Sequence, residues 1–263
     1  MDVNAYLQRL ELAGAPTTDR AGLARLQDRH LLQVPFENLD VRAGRPIPLD
    51  EDAAFAKIVT RRRGGFCFEL NLAFSGLLRE LGFEVSCLSA EVWNADAGAW
   101  APGVPPGGHL ALRVELEGRS WLVDVGFGPW PRQPIALDDP DERKIFGETF
   151  RLVDQDGMKV LQLYQREAMG FVPLYRFSPE PRDLEHFEEA CRWQQSAPES
   201  KFVRNDFASL CIPDGAMWIT PKALRIRRQG RVEEHAFTDG DEYRRTLLRY
   251  LKIDESLLPP VAG

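Results

Sequence analysis

Residues 61–81 read RRRGGFCFELNLAFSGLLREL, and the rest of the chain is parsed outward from this stretch. Cys67, Leu70, Phe74, Leu77, Leu78 and Leu81 recur as one stripe of a 3.6-residue period, which predicts an amphipathic helix. Gly64 and Gly65 precede it, and Gly82 ends it as a C′ glycine. Cys67 therefore opens a helix. A helix start carries roughly half a positive charge and unsatisfied N–H groups, both of which favour a thiolate. Arg61, Arg62 and Arg63 add positive field, and the two glycines permit a sharp turn and close approach of a substrate. Such a setting suits a nucleophile, although a free Cys can equally be a small buried residue. Cys87 sits inside a β-rich run, and Cys191 and Cys211 lack a comparable setting, so these three read as structural.

The flanks of this helix differ in kind. On its N-terminal side the pattern is helical: Asn4 to Leu12, then Arg20 to Gln33 behind a Thr18-Asp19 cap, then Glu51 to about Arg61 behind Asp50. On its C-terminal side it is β-rich from Val85 to Trp93, with a Pro- and Gly-rich loop from Ala95 to Gly108. Strands follow at His109–Leu116 and Ser120–Phe127, and further ones at Glu148–Val153, Lys159–Gln165 and Leu174–Phe177. Residues 183–206 read as helix and then loop. Short strands at Met217–Thr220, Ala223–Gln229 and Arg231–Ala236 precede a helix from Asp241 to Leu251. Helical, β and mixed parts in this order make the class α+β. The expected division is 1–84, carrying the candidate nucleophile, 85–190, mostly strand, and 191–263, mixed.

Composition narrows the function classes. Of 263 residues 44% are hydrophobic, enough to bury a sizeable core. The net charge of −7 argues against general nucleic-acid or anionic-membrane binding, because the average field repels phosphate, while one local basic patch could still hold an anionic cofactor. No run approaches the ~18 apolar residues of a membrane-spanning helix. The start, Met1 to Tyr6, lacks the basic and apolar regions of a signal peptide. The four cysteines have neither disulfide nor metal-ligand spacing, so the expected compartment is the reducing cytosol and no metal is expected. Nothing in the sequence fixes an oligomeric state.

Four histidines form the pool of general bases: His30, His109, His186 and His235. The turn Glu117-Gly118 supplies a geometric test. If Leu116 pairs with Arg119, then Ala111 faces Asp124 and His109 faces Gly126. His109 and Asp124 then share a face as diagonal neighbours, with Cα atoms ~7–8 Å apart, within reach of a His–carboxylate bond. A one-residue slip would put them on opposite faces. Asp124 lies among Leu122, Val123 and Val125, and a carboxylate buried there needs a partner. A nucleophile, a base and a carboxylate that orients the base form a catalytic triad. His30 reads as a packing residue, His186 as lying on a solvated helix face, and His235 carries no signal.

The segment Arg62 to Asn71 closely resembles the active-site motif of the arylamine N-acetyltransferases. His30-Leu31-Leu32-Gln33-Val34-Pro35-Phe36-Glu37-Asn38-Leu39 looks like that family's N-terminal motif. His109-Leu110 and Leu122 to Gly128 look like its histidine and aspartate segments. The order Cys67, His109, Asp124 matches, and weaker similarity, as in Pro173 to Phe177, runs towards the end. The resemblance implies a helical bundle, a β-barrel and an α/β lid around a cysteine-protease-like core. It implies transfer of an acetyl group from acetyl-CoA to an arylamine, aryl hydrazine or arylhydroxylamine through an acetyl-Cys67 intermediate. It further implies that Gly126, Phe127 and Gly128 lie near the CoA pyrophosphate, where a glycine-rich loop can cradle phosphate. An oxyanion hole is needed, with the Cys67 N–H and backbone near Gly108 as candidate donors. Phe36, Phe66, Phe127 and Phe202 could line a slot for a flat arene.

Three departures mark this chain: Pro129 stands where the family has a small residue, Gln194-Gln195 replace Tyr-Thr, and Leu70 replaces Gln. Arg63 is either a CoA phosphate contact or an ion-pair partner of Glu37 or Glu69; Glu37, Asn38, Glu69 and Asn71 read as hydrogen-bonding supports. Competing functions on the same core are a transglutaminase-like or cysteine-protease hydrolase and an amide synthase. A non-catalytic binding module would be the alternative of a different class.

Overall fold

A computed structural model of the chain describes residues 1–228, 231–253 and Leu258. Short acidic side chains begin its helices. Asp2, Asp19, Asp50 and Asp239 each accept the N–H three residues on, capping Val3–Arg9, Arg20–Gln33, Glu51–Phe55 and Gly240–Leu251. The helix expected to run to Arg61 instead widens into a π turn over Ala56–Thr60. That turn carries Lys57, whose buried ammonium lies between Asp40 and Glu69.

The helix that opens at the candidate nucleophile spans Cys67–Glu80. Periodicity predicts one apolar stripe, yet every residue from Cys67 to Leu78 is buried. The polar residues on its other faces are buried because each is bonded. Glu69 meets Lys57 and the Phe66 N–H, Asn71 meets two backbone groups, and the Ser75 hydroxyl donates to the Leu72 carbonyl. Leu70 joins the apolar core.

Against this helix lies a nine-stranded antiparallel sheet curled into a half-barrel. From one edge its main path runs through Ile135–Ala136, Arg119–Val123, His109–Leu116, Glu84–Asn94, Gly170–Arg182, Met158–Gln165, Glu148–Gln155 and Arg143–Ile145, and Ala99–Trp100 pairs with Glu84–Asn94. The central hairpin has the expected register, Leu116 opposite Arg119 through Leu112 opposite Val123. Glu117 and Gly118 have φ of 54° and 73°, as a type I′ turn requires. Alternation then sorts the side chains: Leu110, Leu112 and Val114 join the core under the helices, and Ala111 joins the core inside the half-barrel.

The strand expected to reach Phe127 stops at Val123. Beyond it the Asn71 carboxamide enters the gap, donating to the Leu110 carbonyl at 2.6 Å and accepting from the Val125 N–H at 3.0 Å. A side chain thus replaces a rung of the ladder, and the chain is freed to turn at Asp124.

A second sheet of five antiparallel strands holds Ala208–Ile212, Gly215–Ile219, Ala223–Arg228 and Arg231–Ala236, with Phe36–Glu37 at one edge. The Gly240–Leu251 helix covers it through Leu247 and Leu251, which pack with Met217 and Ile219. The edge strand comes from the N-terminal third, so backbone pairing ties the lid to the bundle. Gln229, the last residue of one expected strand, and residues 254–257 and 259–263 lie outside the described residues. Among the described residues no helix is long and apolar enough to cross a membrane.

His30 packs as expected, with no exposed surface; its Nε2 is 3.0 Å from the Tyr6 hydroxyl and its Nδ1 has no partner. Burial, and then the charge of Arg9, hold its pKa down at about 3. An unfolded imidazole takes its proton near pH ~6.5, so this site's stability is complete above that pH and drains as pH falls towards the folded value. A shift of this size is on the order of 4 kcal/mol at the acid end. His30→Leu should therefore lose less stability than the wild type between pH 7 and 4.5, measured by urea midpoints. Equal losses in both proteins would refute the assignment. His186 differs from expectation: it is half-buried on the 3₁₀ turn Leu184–Phe187, with Nε2 2.9 Å from the Ser89 hydroxyl.

Candidate active site

Four segments meet at the sulfur of Cys67. The first is the helix start itself. Phe66 precedes it in extended conformation, and the Glu69 carboxylate accepts the Phe66 N–H at 3.1 Å. The Cys67 N–H is the first of the helix and has no intrahelical acceptor. Gly64 and Gly65 serve packing more than substrate approach. A Cβ on Gly64 would meet the Pro35 carbonyl oxygen at 2.2 Å, and one on Gly65 the Glu69 carboxylate at 2.7 Å. Their smallness lets the Pro35–Glu37 backbone lie alongside, with the Glu37 N–H donating to the Gly65 carbonyl at 2.9 Å.

The second segment is the start of the His109–Leu116 strand. His109 is buried, and its Nε2 lies 2.7 Å from the Asp124 carboxylate, which leaves Nδ1 for Cys67. Burial alone would pull the imidazole's pKa down. The Asp124 charge and hydrogen bond, joined by Cys67, outweigh it and raise the pKa well above the ordinary value. The hairpin keeps the expected register only as far as Leu112 opposite Val123; the pairs expected beyond it are not formed, and the turn at Asp124 brings its carboxylate to His109.

The third segment is the turn at Asp124. One carboxylate oxygen faces His109; the other accepts the Gly126 N–H at 2.8 Å and the Asn71 amide at 2.9 Å. Gly126 is packed against the helix start: a Cβ there would lie 2.5 Å from the Asn71 amide nitrogen and 2.8 Å from the Cys67 Cα. Gln27 grips the same loop, donating to the Pro131 carbonyl at 2.7 Å, and the Cys211 thiol donates to the Pro129 carbonyl at 3.0 Å.

The fourth segment is 191–207. Gln194 donates to the Gly108 carbonyl at 3.3 Å, and Gln195 donates to the Ile47 carbonyl at 2.9 Å while accepting the Ile47 N–H at 2.7 Å. The two glutamines that depart from the family pattern therefore brace the backbone. Asn38 closes the segment from below, donating to the Phe202 and Asn205 carbonyls and accepting the Phe207 N–H.

These segments surround a cavity of about 1410 Å³. Cys67, Phe36, Gly108, His109, Gly126, Phe127, Gly128, Pro129 and Phe202 line it. Phe66 and Asp124 do not; Phe66 is fully buried and backs the wall edge-on to Phe202, with ring centres 6.1 Å apart. Arg63 is buried, paired with Glu37 at 2.7 Å and Asp40 at 3.2 Å, which resolves its two readings in favour of the ion pair.

Sequence reasoning missed two residues that matter here. Tyr175 is fully buried with its ring 5.2 Å from His109 and 4.9 Å from Phe127. Burial and then the nearby Asp124 charge push its phenol well above the ordinary range. Its position follows only from the pairing of residues 170–182 with 84–94, more than 70 residues apart in sequence, across a bulge. Lys201 lines the cavity beside Phe202, and a cation next to an aromatic in that segment was the available signal.

A thiol at a helix start, backed by a sheet that carries a His–Asp pair, is the arrangement of a cysteine-protease-like core, suited to acyl transfer. Comparison with known proteins agrees with this geometry. A family model described as N-acetyltransferase matches residues 19–256. An arylamine N-acetyltransferase of Mycolicibacterium smegmatis is 34% identical over 260 residues, covering 97% of this chain and 92% of its own length. Human arylamine N-acetyltransferase 1 is 30% identical over 250 residues, covering 87% and 84%. The solved structure of a Mycobacterium marinum arylamine N-acetyltransferase in complex with CoA superposes with a TM-score of 0.89 at 30% identity, covering 98% of this chain and 97% of that one.

Proposed function

This chain belongs to the arylamine N-acetyltransferase family, and on that premise we propose that it moves an acetyl group from acetyl-CoA to the nitrogen of arylamines and aryl hydrazines, and to the oxygen of arylhydroxylamines. The observation that carries this reading is the buried His109–Asp124 pair, 2.7 Å apart, whose free imidazole nitrogen serves Cys67 on the wall of an aromatic-lined cavity.

The reaction runs in two halves. In the free enzyme His109 already holds the Cys67 proton, and the thiolate attacks the thioester carbonyl. The new C–S bond forms, the bond to the CoA sulfur breaks, and CoA leaves with the proton that His109 returns. The amine nitrogen then attacks the acetyl-cysteine carbonyl. His109 takes and keeps a proton from the amine as Cys67 departs as thiolate, and the free enzyme is restored. Asp124 keeps His109 oriented and favours its charged form throughout. The carbonyl oxygen gathers negative charge in both halves, and the Cys67 N–H is the first donor for it, with backbone near Gly108 as the second.

CoA approaches along the Gly126–Gly128 loop. Asp124 takes the Gly126 N–H, so the loop's backbone donors toward a phosphate are those of Phe127 and Gly128, the latter with φ of +65°. Pro129 adds no donor. Phe36, Phe127 and Phe202 form the apolar walls for the acceptor ring, with Phe66 behind them. The four cysteines, Cys67 included, are free, and a reducing compartment such as the cytosol suits a site built on a thiol.

Intact-protein mass spectrometry after incubation with acetyl-CoA tests the reading. The wild type should gain one acetyl group, mapped by peptide analysis to Cys67, and lose it when an arylamine is added. Cys67→Ala should gain none. A wild type that stays unmodified would transfer the argument to the hydrolase reading of the same triad.

A further inference from the structure

We infer that Gln194 is a positioning residue for His109: through Gly108 it fixes the backbone on which the imidazole stands. The inference rests on the acetyl-transfer reading and adds a residue to the machinery of that site. The helix Glu188–Ser196 turns Ala190, Cys191 and Gln194 inward. Ala190 and Cys191 join the apolar core, but Gln194 brings a carboxamide to the same face and is only 6% exposed. A buried amide is costly unless its two ends are bonded.

Both ends are bonded. The Ser200 hydroxyl donates to the Gln194 backbone carbonyl at 2.7 Å and lies 3.2 Å from its Oε1. With Oε1 held there, Nε2 donates to the Gly108 carbonyl at 3.3 Å. Gln194, Gly108, His109 and Cys67 line the same cavity.

The backbone that receives this bond is the one that most needs it. Gly107 has φ of 82°, and a Cβ on it would meet the Phe187 ring at 3.1 Å; one on Gly108 would meet the Val104 side chain at 2.6 Å. Neither position takes a larger residue, so two successive glycines leave the chain at its freest just before the base. Gln194 gives that pair a side-chain anchor. The peptide unit is planar, so holding the Gly108 carbonyl also orients the His109 N–H and the Cα from which the ring projects. The ring tolerates little error, because Nε2 stands 2.7 Å from Asp124 while Nδ1 serves Cys67. A displacement of about 1 Å in such a constellation costs on the order of a hundredfold in rate. Gln195, the next residue, supplies a contrast: it bonds the Ile47 backbone at 2.7 and 2.9 Å, bracing the same helix without touching Gly108.

The test replaces each glutamine by methionine, which keeps the bulk and removes the donor. Gln194→Met should lower kcat for arylamine acetylation about tenfold while the KM for acetyl-CoA stays within about twofold. Iodoacetamide should alkylate its Cys67 about tenfold more slowly at pH 6, because the reactive thiolate depends on the imidazolium beside it. Gln194→Leu, a second side chain without a donor, should behave alike. Gln195→Met should lower the urea midpoint and keep both rates. Gln194 variants that lose stability but keep kcat and the alkylation rate would overturn the inference, as would equal rate losses in Gln195→Met. A change confined to the KM for acetyl-CoA would overturn it too, by making Gln194 a donor contact. A wild type without acetyl transfer would strike the acetyl-transfer reading itself, and the alkylation rates would still decide whether Gln194 positions His109.

Discussion

Asp124→Asn should cost acetyl transfer about a thousand- to ten-thousand-fold in kcat/KM while leaving the protein folded. The carboxylate makes three charge-assisted or neutral hydrogen bonds, to His109, Asn71 and the Gly126 N–H. In the variant the amide oxygen keeps the two structural donors, and the turn survives. The amide nitrogen is then left facing His109 Nε2. It can only donate, so Nε2 must offer its lone pair and the ring proton must sit on Nδ1. That is the nitrogen on the Cys67 side, and it can no longer take the thiol proton.

The same substitution removes the charge that raises His109. In the wild type the raised value keeps the ring protonated well past its ordinary titration. Stability from the His109–Asp124 pair is therefore complete below pH ~6.5 and is lost as pH climbs through the folded value. The asparagine variant should lack that alkaline loss. Steady-state kinetics and circular dichroism on the purified variant check both parts. Folded protein that retains more than a tenth of wild-type kcat/KM would remove Asp124 from the mechanism.

What could be read from the residues was local. The His109–Asp124 pairing was legible in part: a Glu-Gly turn fixes the register as far as Leu112–Val123, while the last approach comes from a turn at Asp124 that strand alternation does not describe. Cys67 was legible because glycines, a helix start and a regular stripe fall in one short stretch. The rest of the site depends on long-range assembly. Asn71 reads as a hydrogen-bonding support, but its partners are not legible until the sheet places Leu110 and Val125 either side of its amide. The Phe36–Glu37 strand is too short for any alternation to declare it, and its partner Ala208–Ile212 lies about 170 residues away. The amphipathic reading of Cys67–Glu80 failed for a similar reason, since buried polar residues look like solvent-facing ones until their partners are known. Lys57 did carry a signal: a single cation inside Ala53–Val59, otherwise an apolar run.

Lys57→Met should destabilise the protein by about 3–5 kcal/mol, the cost of breaking a buried ion pair from one side. The ammonium is 2.7 Å from Glu69 and 2.8 Å from Asp40, and Asp40 is shared with Arg63, itself paired with Glu37. Burial would raise the Asp40 pKa, but Lys57, and then Arg63, hold it down at about 2. Its contribution is thus present above the ordinary carboxylate range and lost as pH falls towards that value. Methionine matches the length of the lysine stem but leaves Glu69 without its cation, and Glu69 is the group that caps the helix carrying Cys67. A second substitution separates charge from packing. Glu69→Gln keeps an oxygen for the Phe66 N–H and removes the stranded charge, so the double variant should be less destabilised than the two single variants added together. Urea midpoints of the four proteins at pH 7 give the coupling directly. Strict additivity would mean that the pair contributes nothing beyond its volume, and the network would then be packing with charges attached rather than the electrostatic seat of the nucleophile's helix.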